Sequence, residues 1–291
     1  MKYTPTAILT TLVAFTAGAP VSINPRAANE IFVASKGDAN NIFDGIGYGA
    51  DAYHIYTGDG SSAAGWPKMS QWVSFQQMFD TNANTMKTAC TNLGMASGSD
   101  TTDNEIAHIY QAIQSVAAVT GVDHRFVLAI LMQESLGCVR VYTTNTGVAN
   151  PGHAGAHTCN PAPKGVSGSM TFPCPYDQIQ GMIQDGVGGT QAGAGLAGCL
   201  NDVVAAAQAA GATGMDGSNS QVYYQAARFY NSGSVDTTNL GNGFSSTNCY
   251  ASDVANRLTG WRTVNKTCYL DGLAGLEKTR WARLTEQNIG S

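Results

Sequence analysis

Val122-Asp123-His124-Arg125-Phe126-Val127-Leu128-Ala129-Ile130-Leu131-Met132-Gln133-Glu134-Ser135 is the stretch on which the reading of this chain turns. Asp123 is a good helix N-cap, because its short side chain can accept from the first unsatisfied backbone N–H groups. Val122 before it and Val127 four positions on have the spacing of a hydrophobic staple. Phe126, Val127, Ile130, Leu131 and Glu134 fall on one side of a helix at three- and four-residue spacing. Gly137 follows and is expected to end the helix. One face of this helix is therefore apolar except for a single carboxyl group near its end.

Working outward, the preceding stretch is a second helix, predicted from Thr102 to Thr120. Thr102 and Glu105 form a capping box, and Ile106, Ile109, Tyr110, Ile113, Val116 and Ala117 form an apolar stripe. Gly121 closes it, so two consecutive helices with a tight connection place Glu134 at the far end of the pair. Further helices are expected over Ser70–Lys87, Asp177–Asp185, Gly195–Gln208, Ser220–Tyr230 and Ala251–Gly260. From Val139 to Cys174 the chain turns irregular, rich in Thr, Asn, Gly and Pro. Strand signals are sparse, and the fold class is mainly α.

The whole chain sets wider bounds. Its 291 residues suffice for a real core. Lys2, a mostly apolar run from Ala7 to Ala17 and the small residues Ala17-Gly18-Ala19 read as a secretory signal peptide over 1–19. Residues 20–100 carry many turn signals and read as an N-terminal extension. Residues 101–262 read as the catalytic domain and 263–291 as a C-terminal tail. Charged residues are 12% of the chain, about half the usual share, and the net charge is −5 with no basic cluster. Nucleic acid and membranes are therefore not expected partners. Seven cysteines in a secreted chain imply three disulfides and one odd thiol, with the pairing left open. A secreted, extracellular, monomeric protein is expected. Asn265-Lys266-Thr267 is the one N-glycosylation triplet, expected at the surface if used.

Glu134 has no basic residue one helical turn back, since position 130 is Ile. A carboxyl group in apolar surroundings is expected to have a raised pKa and to keep its proton near neutral pH. A general acid for glycosidic bond cleavage needs that property.

Two motifs carry a resemblance. Ala129-Ile130-Leu131-Met132-Gln133-Glu134-Ser135 resembles the catalytic-helix motif of soluble lytic transglycosylases and goose-type lysozymes, a buried helix ending in Glu-Ser. About 95 residues downstream, Ala226-Ala227-Arg228-Phe229-Tyr230-Asn231-Ser232-Gly233 resembles the later motif of that family, an Ala-rich helix ending in Tyr-Asn-x-Gly. The resemblance covers roughly residues 102–262. It implies a lysozyme-like helical domain, Glu134 as catalytic acid and then base, and Ser135, Gly152, Tyr230 and Asn231 at the substrate. The family's middle motif, Gly-Leu-Met-Gln-like, would fall at Asn150-Pro151-Gly152-His153-Ala154-Gly155-Ala156-His157. There Gly152 matches, while Leu, Met and Gln do not. The implied substrate is a β-1,4-linked N-acetylated aminosugar polymer, peptidoglycan first, with a chitin-type glycan or binding without turnover as the alternatives.

Between Glu134 and Asp177 the sequence holds no Asp or Glu. Most glycosidases use two acids, whereas the family's transglycosylases work with one Glu, the sugar's own N-acetyl group and its 6-hydroxyl. Asp177 and Asp185 are the candidates if a second acid exists, Asp177 reading better as a helix-start residue. His153, His157 and Cys159 could seat a metal on spacing alone, but a disulfide for Cys159 and two loop histidines are the preferred reading. No metal or cofactor is expected.

Overall fold

The computed structural model of the chain describes residues 41–142, 157–161, 170–190 and 193–268. Among the described residues there are eight α-helices and no strand. They are α1 (Phe75–Met86), α2 (Ala89–Asn92), α3 (Asp103–Thr120), α4 (His124–Ser135), α5 (Tyr176–Gly188), α6 (Gly195–Ala209), α7 (Ser220–Ser232) and α8 (Tyr250–Leu258). The chain is thus mainly helical, as expected. The signal peptide, Gly152, His153 and the tail beyond residue 268 lie outside the described residues.

The local grammar of α3 and α4 explains their ends. Thr102 accepts from the Glu105 backbone N–H while the Glu105 carboxylate takes the Thr102 N–H, so the capping box forms as read. Asp123 accepts from the Arg125 N–H at the start of α4. The end of α4 differs from expectation: Leu136, not Gly137, is the first left-handed residue, with φ 53°. Gly137 follows, also left-handed at φ 82°, and a Cβ there would meet Met86 Cγ at 2.5 Å. Two left-handed residues in succession, beginning two positions after Glu134, redirect the chain at the end of α4.

Helix α3 packs most extensively on α5, and α4 lies against α3, α1 and α8. The apolar stripe read on α3 is indeed buried at Ile106, Ile109, Ile113, Val116 and Ala117. Residues 41–100 share this core. Trp66, Trp72, Phe75 and Met78 belong to the same buried cluster as Phe126, Tyr223 and Leu258. The Trp72 indole N–H donates to the Tyr224 hydroxyl at 2.8 Å, which itself donates to the Pro67 carbonyl at 2.8 Å. The helix expected from Ser70 starts only at Phe75. The backbone N–H of Val73 goes instead to the Leu258 carbonyl at 2.8 Å, and Ser74 N–H to Ile46 at 3.3 Å. These distant acceptors hold Val73 and Ser74 extended.

Three disulfides join Cys90 to Cys138, Cys159 to Cys174 and Cys249 to Cys268, leaving Cys199 as a buried free thiol. Three bridges of this kind fit an oxidising compartment. No helix among the described residues is long and apolar enough to cross a membrane.

A buried ion pair fixes the chain where it leaves α4. Arg140 and Glu105 are both fully buried and paired. Arg140 also donates to the carbonyls of Thr171 at 3.0 Å and Ser99 at 3.2 Å, and its guanidinium lies 3.9 Å from the Phe172 ring centroid. Glu105 also accepts the Cys174 N–H at 2.6 Å. Burial alone would raise the Glu105 pKa. The N–H groups of Thr102 and Cys174 and the Arg140 guanidinium outweigh it and hold this carboxyl below its ordinary range.

Candidate active site

Helices α3, α4, α5, α6 and α7 surround a cleft of about 590 Å³, part of it open to solvent. Its walls are apolar, from Ile109 on α3, Val127, Ile130 and Leu131 on α4, Met182 and Ile183 on α5 and Leu196 on α6. Glu134, Ser135 and Tyr230 bring polar atoms to this lining. The apolar face read on α4 is therefore a cleft wall, and Glu134 is half-buried at its edge.

The Tyr250 hydroxyl, from the first residue of α8, donates to Glu134 Oε1. Tyr250 is 3% exposed, and burial followed by the neighbouring Glu134 carboxylate pushes its pKa well above the usual phenol value. Tyr230 is shifted upward by the same two causes in the same order. Both phenols therefore stay protonated across the accessible pH range, and Tyr250 stays a donor. A donor bond to a carboxylate is stronger than one to a neutral acid. Tyr250 accordingly orients the Glu134 carboxyl group.

Behind Glu134 lies a polar network. Gln133 donates to Asp253 Oδ2 at 3.1 Å and accepts from Arg257 Nε at 2.9 Å. Asp253 also takes the Tyr53 hydroxyl at 2.5 Å and Lys266 Nζ at 2.8 Å. Arg257 lies 4.6 Å from the Trp261 ring centroid, and burial lowers its pKa to about 10. Gln133, the residue before Glu134, thus ties the end of α4 to α8 with both halves of its amide.

The other sequence-predicted residues divide. Ser135 lines the cleft, but its hydroxyl donates to the Leu131 carbonyl at 3.3 Å and accepts the Gly137 N–H at 3.3 Å. Tyr230 faces the cleft with Glu134. Asn231 turns elsewhere: its amide oxygen accepts from Arg228, and its carbonyl accepts from Ser246 Oγ at 3.1 Å. Asp177 sits exposed in the first turn of α5. Asp185 accepts from His157 Nδ1 at 2.9 Å, on the side of α5 where Gly181 lets the histidine ring approach. Burial raises the Asp185 pKa, opposed in part by His157. Neither aspartate is among the described cleft residues. Cys159 is in a disulfide. Asp44, Asp123 and His124 are close enough together to consider a metal ion. The Arg125 guanidinium already bridges the two carboxylates there, at 3.1 Å from Asp44 and 2.6 Å from Asp123.

No protein-family model, no curated protein and no solved structure matches the chain. Tyr250 is the residue that sequence reasoning missed. Tyr250, Val254 and Leu258 repeat every four residues, which reads as an ordinary core stripe. Only packing against α4 distinguishes the first of them.

Proposed function

We propose that the chain is a secreted glycan-cleaving enzyme with a lysozyme-like helical fold, acting on β-1,4-linked N-acetylated aminosugar polymers, with Glu134 as general acid and then base. One observation carries the reading. Two motifs about 95 residues apart in sequence meet at one cleft, where Glu134 is bonded to Tyr250 and shares the lining with Tyr230. Glu134 protonates the leaving oxygen, and the Tyr250 hydroxyl supports the carboxylate that results. The substrate's N-acetyl group stabilises the cationic carbon, so a second carboxylate in the cleft is not required. The re-formed base then takes a proton from the sugar's 6-hydroxyl or from water.

Peptidoglycan is the first substrate to test. Mass spectrometry of products from purified walls distinguishes anhydro ends, made by transglycosylation, from reducing ends, made by hydrolysis. A chitin-type glycan is the second, since a chain of net charge −5 gains no attraction to anionic walls. Binding to either polymer with no bond cleaved would replace the enzyme with a carbohydrate-binding protein on the same fold.

A further inference from the structure

Asn265-Lys266-Thr267, the one N-glycosylation triplet of the chain, follows α8 in a stretch that is neither helix nor strand. The stretch is anchored on both sides of the triplet. Before it, the Asp51 carboxylate accepts the backbone N–H groups of Arg262 at 2.7 Å and Thr263 at 3.1 Å, and the Trp261 indole N–H donates to the Val264 carbonyl at 2.8 Å. After it, Cys268 is buried in its disulfide with Cys249. Within the triplet the side chains divide. Lys266 turns inward, its ammonium 2.8 Å from the buried Asp253 carboxylate and its side chain only 12% exposed. Asn265 and Thr267 are exposed. Residues two apart in an extended chain share a side, so inward Lys266 and Cys268 leave Asn265 and Thr267 together facing solvent. No hydrogen bond among the described residues engages either of these two side chains.

Apolar groups are uncovered around this stretch. Val264, beside Asn265, is 39% exposed. Tyr48 is 59% exposed, and its backbone lies so close to Gly260 that a Cβ there would come within 2.9 Å of the Tyr48 carbonyl oxygen. Exposed apolar patches invite association, and charged residues, which would oppose it, are only 12% of the chain. An N-linked oligosaccharide is bulky, polar and held at the surface, and one on Asn265 would shade these groups.

We propose that Asn265 is an N-glycosylation site, modified as the chain passes through a secretory pathway. The donor is an oligosaccharide carried on a polyprenyl diphosphate. The Asn265 amide nitrogen bonds to C1 of the first sugar, the C1–O bond to the diphosphate breaks, and the amide proton leaves with the polyprenyl diphosphate. The Thr267 hydroxyl marks the asparagine for the transferase. Because both side chains face solvent, the folded chain holds the product without breaking the Lys266–Asp253 pair. The inference rests on the secreted reading of the chain and is independent of the chemistry at Glu134.

The test expresses the full chain, with its own N-terminus, in a eukaryotic secretion host and examines both the medium and the cells. The secreted protein should run more slowly on a gel than its sequence predicts, and peptide N-glycosidase should abolish the difference. Performed in heavy-oxygen water, that digestion should leave a labelled aspartate at position 265 in the peptide mass spectrum. Asn265→Gln and Thr267→Ala should each lose the shift, and Thr267→Ser should keep it. Transfer precedes folding, so a variant retained in the cells is read in the same way from the membrane fraction. Secreted protein with an unmodified Asn265, or a shift that survives in both Asn265→Gln and Thr267→Ala, overturns the site and leaves secretion standing. A chain that stays unmodified in the cytosol overturns both.

Discussion

At Glu134 one hydrogen bond, from the Tyr250 hydroxyl, holds the carboxyl group that the proposed mechanism uses as its acid. Glu134→Gln keeps the size and cannot give up a proton. Turnover should fall by at least about 10⁴-fold, the upper end of what general acid catalysis contributes, while glycan binding persists; cleavage at the parent's rate would remove Glu134 from the mechanism. Tyr250→Phe deletes only the hydroxyl. A bond to a charged group contributes about 1.5–3 kcal/mol, so kcat should drop roughly tenfold to a hundredfold with KM little changed. An unaltered kcat would make that contact incidental. Glu134 was legible in the sequence because an acid on an apolar face breaks a pattern. Tyr250 was not, because a tyrosine on an apolar stripe continues one. At Asn231 the motif points to substrate, while the structure shows its amide oxygen accepting from Arg228, a contact three residues back that the sequence did not reveal.

For the helices, capping and periodicity carried most of the information. The capping box at Thr102 and the N-cap at Asp123 were readable because both act within four residues. The late start of α1 was not, since the groups that hold Val73 extended come from Leu258 and Ile46. Pairing of Glu105 with Arg140 was equally hidden, the partners being 35 residues apart. This pair gives a prediction with a definite sign. The Glu105 pKa in the fold lies below its ordinary 4.5. Its contribution to stability is therefore fully present above about pH 4.5 and is lost as the pH falls through the lower, folded value. Glu105→Gln should destabilise the protein at pH 7 by roughly 3–5 kcal/mol, because it leaves Arg140 buried without its counter-charge. Stability of the variant should also fall less steeply below about pH 4.5 in denaturant titrations. An identical acid slope in both proteins would refute this assignment.

At the scale of the molecule, the cysteine count foretold three bridges and one thiol, while their connectivity required the fold. Thiol titration of the unfolded, unreduced protein should find one group, Cys199; several would contradict the pairing. Among the bridges, Cys90–Cys138 closes the longest loop, 48 residues against 15 and 19. On the chain-entropy account its removal by paired Ala substitutions should cost about 4 kcal/mol, and each of the others about 3 kcal/mol. Equal losses in denaturant unfolding would argue against that ordering. The clasp between residues 41–56 and α8 has a further consequence, for biosynthesis. Tyr53, His54 and Tyr56 meet Asp253, Asn256 and Ser252 across separations of 196 to 202 residues. Contacts so remote slow folding, because a long loop must close before any of them forms. A ribosome-bound chain lacking α8 cannot form the bonds of Tyr53 and Gln133 to Asp253, or that of Gln133 to Arg257. The clasp therefore closes only when almost all of the described chain has emerged, and it is during this interval that a chaperone would find Tyr53, His54 and Tyr56 without their α8 partners.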